Sequence, residues 1–142
     1  AGVAAELHVA RGDKLPLPDG SVDAVVSIST VMYVGYAPFV AEAARVTVPG
    51  GVISVAGAVV DTPLSWVRGR YAALAREHGL AVRAFEDITA RSFAAMEAGA
   101  AANEALIARL PRVVRGYARE AAVLPGSAKF ELYRSGRKRE YV

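Results

Sequence analysis

Along residues 6–11 the apolar Leu7 and Val9 alternate with Glu6, His8 and Ala10 until Gly12 and Asp13 interrupt them, and this period of two predicts a short strand. The stretch Leu15-Pro16-Leu17-Pro18-Asp19-Gly20 cannot be helical. Two prolines remove donors and push their predecessors into extended backbone, and Asp-Gly favours a turn, so a loop is expected. Residues 22–28 (VDAVVSI) are apolar nearly throughout, as in a strand covered on both faces within a parallel sheet. Over 38–46, Phe39, Val40, Ala43, Ala44 and Val46 fall near helical spacing, which leaves Glu42 and Arg45 for the other face. Pro49-Gly50-Gly51 is expected to end that helix before a second buried, valine-rich strand over 52–60.

Thr62 is placed to cap a helix with Pro63 at its first position, running to His78 and closed by Gly79. Residues 80–89 alternate again, predicting a third sheet strand. An alanine-rich helix follows over 92–110, capped by Ser92 or Thr89, and Pro111 opens another that reaches Val123. Pro125-Gly126-Ser127 separates a last helical segment over 128–134, Ser135-Gly136 turns the chain, and Glu140-Tyr141-Val142 begins a strand. Alternating strands and helices predict an α/β sheet with helices on both faces. Ligands of such sheets bind beyond the carboxyl ends of the strands, which directs attention to residues 12–14, 27–33 and 56–62.

With 142 residues, 54% of them hydrophobic, the chain can bury one respectable core. Cysteine is absent, which excludes disulfides, thiolate metal sites and a cysteine nucleophile. The apolar run over 52–60 is about half the length needed to cross a bilayer, so no membrane partner is expected. No basic stretch followed by an apolar segment reads as a secretion signal, and a cytoplasmic location is the expectation. The net charge is +3, with Arg134, Arg137, Lys138 and Arg139 clustered near the end. No aromatic platform accompanies them, so a solvated turn and helix face is expected rather than a nucleic-acid site. The two histidines, His8 and His78, fall in a strand and at a helix end, and no Ser/His/Asp set, metal-ligand cluster or P-loop is present.

Three segments together resemble the class I, S-adenosylmethionine-dependent methyltransferases of the small-molecule, type 11, ubiquinone-biosynthesis-like kind. They are Gly12-Asp13-Lys14-Leu15-Pro16-Leu17-Pro18-Asp19-Gly20-Ser21-Val22-Asp23-Ala24-Val25-Val26-Ser27, Glu42-Ala43-Ala44-Arg45-Val46, and Pro49-Gly50-Gly51. The resemblance implies a Rossmann-like, mostly parallel sheet with a helical insertion before the last strand, and methyl transfer from S-adenosyl-L-methionine to a small-molecule acceptor. Asp13 then matches the acidic residue that accepts a hydrogen bond from the adenine amino group, with Lys14 and Leu15 bordering the base. A carboxylate only accepts, so it selects an amino-bearing edge. Ser27, Ile28 and Ser29 match the strand end beneath the methionine part of the cofactor. Tyr33 stands where many relatives carry a histidine that positions or deprotonates the acceptor. A phenol is a poor base at neutral pH, although its hydroxyl can orient a substrate. No metal is implied.

By the same resemblance, residues 1–90 form the Rossmann-like part, 91–135 an acceptor-side helical insertion in which Phe93, Met96, Leu106 and Tyr117 line an apolar pocket, and 136–142 the start of the final strand. Ala1-Gly2-Val3 resembles the end of the helix entering the family's third strand, so the sheet is expected to be incomplete at its N-terminal side and the fragment inactive alone. The glycine-rich turn and the acidic residue that hold the carboxypropyl and ribose groups are not in the sequence. A noncatalytic, partner-binding relative is the alternative from another class. A nucleotide-dependent oxidoreductase shares the architecture, but the Leu-Pro loop and Pro-Gly-Gly argue against it. The acceptor, the atom methylated and the oligomeric state stay open.

Overall fold

A computed structural model describes Gly2 and residues 4–142. The elements run β1 (Val22–Ile28), α1 (Val31–Val34), α2 (Tyr36–Val46), β2 (Thr47–Val60), α3 (Leu64–Glu77), α4 (Thr89–Ile107), α5 (Arg112–Ala121), α6 (Ala128–Arg134) and β3 (Lys138–Tyr141). The strands form one sheet in the order β1-β2-β3, with β1 and β2 parallel. Two compact units result: Ala1–Gly57 with Arg68–Arg83, and Ala58–Val67 with Ala84–Val142.

In the first unit the helical spacing of Phe39, Val40 and Ala43 turns one face of α2 onto Val31 and Leu74, and Val25, Ile53, Val55, Tyr71 and Leu80 pack against this cluster. Strand alternation puts Val25 and Ser27 toward the core side of β1, whereas Val26 and Ile28 are each 70% exposed. Among the described residues β1 is therefore covered on one face, not on both as its apolar run suggested. The expected strand over 6–11 does not form: those residues are irregular and Leu7 and Val9 are exposed. A strand needs a neighbour for its ladder, and only Arg11 makes a bridge, to Lys14. Ala1 and Val3, part of the expected helix end, lie outside the described residues.

Pro49-Gly50-Gly51 does not stop a helix. α2 ends at Val46, the extended Thr47 already belongs to β2, and its hydroxyl donates to the Ala43 carbonyl at 2.7 Å. The three residues instead build a bulge: Val22 pairs with Thr47 and Ala24 with Val52, so β2 takes five residues where β1 takes two. Gly50 there has φ +83°, and a Cβ on Gly51 would stand 2.7 Å from the Asp23 carbonyl oxygen, so both positions require glycine.

In the second unit Leu124 is fully buried, and Phe130, Tyr133 and Tyr141 are nearly so. Phe93 lies 5.0 Å from Phe130 and 6.0 Å from Tyr133 between ring centroids, and Phe85 stacks on Tyr141 at 5.5 Å. Residues 80–86 are irregular, so the predicted third strand reduces to a short antiparallel pairing of residues 86–88 with 140–142. It is held by Glu86 N to Val142 O (2.7 Å), Val142 N to Glu86 O (3.1 Å) and Ile88 N to Glu140 O (3.0 Å). Neither Ser92 nor Thr89 caps α4; the Asp87 carboxylate accepts from the Thr89 N–H at 2.9 Å. The Thr62 hydroxyl donates to the Val60 carbonyl at 3.1 Å. Ser127 does cap α6, accepting from Phe130 N at 3.2 Å.

The terminal cations are engaged one by one. Arg134 pairs with Glu131 (2.5 Å), Arg137 with Asp61 (2.6 Å) and Arg139 with Asp87 (3.2 Å), while Lys138 lies 4.8 Å from the centre of the Tyr133 ring. Tyr133 itself donates to Glu140. No helix among the described residues is long and apolar enough to cross a membrane.

Leu124→Ala removes the side chain at the centre of the second unit and is expected to cost about 3 kcal/mol in urea unfolding, whereas Val113→Ala, at a position 89% exposed, changes the midpoint by less than about 0.5 kcal/mol.

Candidate functional site

The segment that leads into the Leu-Pro loop is a tight turn, with Lys14 N donating to Arg11 O at 3.1 Å. A Cβ on Gly12 would lie 2.6 Å from Val34 Cγ2, so the turn sits against α1 at a distance only glycine permits. Next to it, the Asp13 carboxylate accepts Arg11 Nε at 2.8 Å and Arg11 Nη2 at 2.7 Å, one bond on each oxygen. This fork is the chief reason the Asp13 carboxyl is held below its usual pKa. Each carboxylate oxygen has room for a second donor, so Asp13 keeps acceptor capacity while paired.

The loop beyond Asp13 is clasped by α2. Arg45 donates through Nε to Glu42 Oε2 (2.9 Å), through Nη1 to Leu17 O (2.9 Å) and Asp19 Oδ1 (2.6 Å), and through Nη2 to Leu15 O (3.3 Å) and Glu42 Oε1 (2.6 Å). Glu42 also accepts the Leu15 N–H at 2.6 Å. Gly20 N and Ser21 N then donate to the Arg45 and Val46 carbonyls, each at 2.8 Å, so the loop's far end is tied to the same helix terminus. Glu42 is buried, and hydrogen bonds from Arg45 first and Leu15 second bring its pKa down to about 2. The sequence spacing had left Glu42 and Arg45 to an outward face. The face is covered by the loop, and an acid and a base three apart on α2, opposite the apolar stripe, were the available signal.

At the carboxyl end of β1, Ser27 is buried and its Oγ has no hydrogen-bond partner among the described residues, while Ile28 is exposed. Ser29 has φ +54°, a left-handed conformation costly for a side-chain-bearing residue, and its N–H donates to Ala56 O at 2.8 Å. Tyr33, on α1, is 84% exposed. The structure thus places Asp13, Lys14 and Leu15 on one turn and loop, Ser27, Ile28 and Ser29 at one strand end, and Gly12 against the α1 residue that follows Tyr33. Of the four residues expected to line an acceptor pocket, Phe93 is taken up in ring packing with Phe130 and Tyr133, Met96 is half-buried, and Leu106 and Tyr117 are exposed.

The methyltransferase domain family matches residues 1–55. No curated protein matches the chain. Among solved structures, a protein assigned as a sarcosine dimethylglycine methyltransferase from Galdieria sulphuraria aligns with a TM-score of 0.69 at 16% identity, covering 93% of this chain and 55% of that one. Its fold is a methyltransferase fold. The geranyl diphosphate C-methyltransferase of Streptomyces coelicolor A3(2), solved with Mg2+, geranyl diphosphate and S-adenosyl-L-homocysteine, shares this methyltransferase fold with a TM-score of 0.60 at 18% identity over 94% of this chain and 50% of its own. The SpnF cyclase does so with a TM-score of 0.60 at 22% identity over 94% and 52%. The chain spans about half the length of these structures.

Asp13 offers unfilled acceptor positions, and Ser27 carries a buried hydroxyl without a partner among the described residues.

Because the Glu42 pKa is depressed in the folded state, its contribution to stability is full above the ordinary carboxyl pKa near 4.5 and is lost as pH falls through about 2. Glu42→Gln is therefore expected to lower the unfolding midpoint at pH 7, with the gap to the wild type closing between pH 4.5 and 2 in denaturant titrations across that range.

Proposed function

We propose that this chain forms the adenine-facing and acceptor-side part of an S-adenosylmethionine-dependent methyltransferase acting on a small molecule. The observation that carries the proposal is the Asp13 carboxylate, fixed on a glycine turn ahead of a clamped loop, with acceptor capacity left over. Bound S-adenosylmethionine supplies an activated methyl group on a sulfonium, and the protein's own share of the work is chiefly to hold donor and acceptor in line. In this reading Asp13 accepts the adenine amino group, Lys14 and Leu15 flank the base, and Ser27, Ile28 and Ser29 line the strand end where the methionyl part runs. Ser27 Oγ would there gain the partner it lacks in the chain's own packing. The hydroxyl of Tyr33, exposed beyond the end of β1, orients the acceptor rather than acting as the base. A cytoplasmic location suits such an enzyme.

A noncatalytic, partner-binding module is the second reading. The exposed Val26 and Ile28 on β1, an edge strand among the described residues, favour it, because an apolar face and an open strand edge both promote association.

Calorimetric titration of S-adenosylhomocysteine into the complete product of the encoding gene separates the two. Micromolar binding that weakens roughly 10- to 100-fold in Asp13→Ala supports the methyltransferase reading. Ser27→Ala should also weaken binding while leaving the melting temperature of the free protein unchanged or raised, since the lost hydroxyl had no partner. Absence of binding, or an Asp13→Ala variant that binds as well as the wild type, would transfer support to the partner-binding module.

A further inference from the structure

The loop that follows Asp13 has little means of holding its own shape. Pro16 and Pro18 contribute no N–H, so between Leu15 and Pro18 the backbone offers two donors, Leu15 and Leu17. The Leu15 donor goes to Glu42, and the carbonyls of Leu15 and Leu17 both go to Arg45. A guanidinium has five N–H bonds in a fixed fork, and Arg45 meets five acceptors: two on Glu42, two loop carbonyls and Asp19. The geometry of the loop is thus specified from α2, and the first clamped residue, Leu15, is two positions from Asp13.

We propose that Glu42 and Arg45 are positioning residues that set base selectivity at the donor site: by clamping residues 15–19 they hold the Asp13 carboxylate where it favours an amino-bearing purine over an oxo-bearing one. The inference rests on the methyltransferase reading above. The pair acts through the loop and not through the core, because α2 reaches the apolar cluster with Val31 and Leu74 through other side chains, Phe39, Val40 and Ala43. Removing Arg45 frees two carbonyls, Asp19 and the buried Glu42 carboxylate, all on the loop side of the helix. A site that accepts an N–H discriminates against an analogue lacking it only while the acceptor is held in place. A lysine cannot replace this arginine, since three donors on one nitrogen do not span five acceptors.

The test uses the complete gene product and two ligands that differ at one position of the base, S-adenosylhomocysteine and S-inosylhomocysteine. Calorimetry on the wild type should give a preference for the adenine compound of about tenfold or more. Arg45→Ala is expected to bring that ratio below about threefold, with Arg45→Lys between the two, and hydrogen exchange should show the Leu15 amide losing protection in both. General destabilisation lowers both affinities by the same factor and leaves the ratio alone, so the ratio reports positioning. Should Arg45→Ala fail to fold, Glu42→Gln keeps the side-chain shape and serves in its place, with the same expected fall in ratio. An unchanged ratio in a variant whose Leu15 amide has lost protection overturns the positioning role and leaves the methyltransferase reading standing. A wild type that binds neither compound overturns both.

Discussion

A single guanidinium sets the geometry of the first unit's loop side. Arg45 saturates its five N–H bonds on one helix neighbour and on three positions of a loop that cannot organise itself, and it is partly shielded from water while doing so. Such charge-assisted, forked bonds are stronger and more directional than neutral ones. The Glu42 carboxylate completes the arrangement: buried, it would be costly alone, and its two oxygens meet Arg45 and the Leu15 amide. A loop of alternating leucine and proline is thereby given one conformation, and the turn that bears Asp13 inherits it.

The rest of the first unit supports this clasp from behind. α2 is anchored by an apolar stripe distinct from its charged one, and the edge of that anchoring is the β1–β2 pairing, whose parallel register runs from Ala24 with Val52 to Ile28 with Ala56. Gly12 brings the Asp13 turn against α1 from the other side. The second unit is organised differently, around Leu124 and a group of aromatic rings, with Arg134, Arg137 and Arg139 matched individually to carboxylates. That matching makes the basic cluster, expected as a solvated turn and helix face, a set of local ties.

Much of the fold was legible because local rules and packing agree. VDAVVSI became a strand over the residues expected, the segment at 128–134 became a helix, and the Leu-Pro stretch stayed a loop. What failed depended on neighbours. Alternation at 6–11 and 80–89 is a genuine strand pattern, yet a ladder requires a partner, and among the described residues antiparallel pairing of the second segment is confined to 86–88. Pro49-Gly50-Gly51 was misread because a helix stop and a bulge ask for the same residues, and only the opposing Asp23 carbonyl distinguishes them. The likeness to methyltransferases pointed to Asp13 and the end of β1, where the structure adds a left-handed serine and a hydroxyl unpartnered among the described residues. The clasp escaped notice because periodicity reports which helix face is apolar and is silent about what covers the polar one.

The bulge in β2 has a consequence for how this sequence can change over generations. Pairing downstream of Val52 is fixed by its own ladder with β1, so residues 48–50 form a slack segment between a helix end and a register already determined. A codon gained or lost within that slack would alter the bulge and leave the facing of every later β2 side chain as it is. Length variation is therefore tolerable at this junction, up to the point where Gly51 meets the Asp23 carbonyl, and is excluded a few residues further on, where the same event would turn the strand inside out.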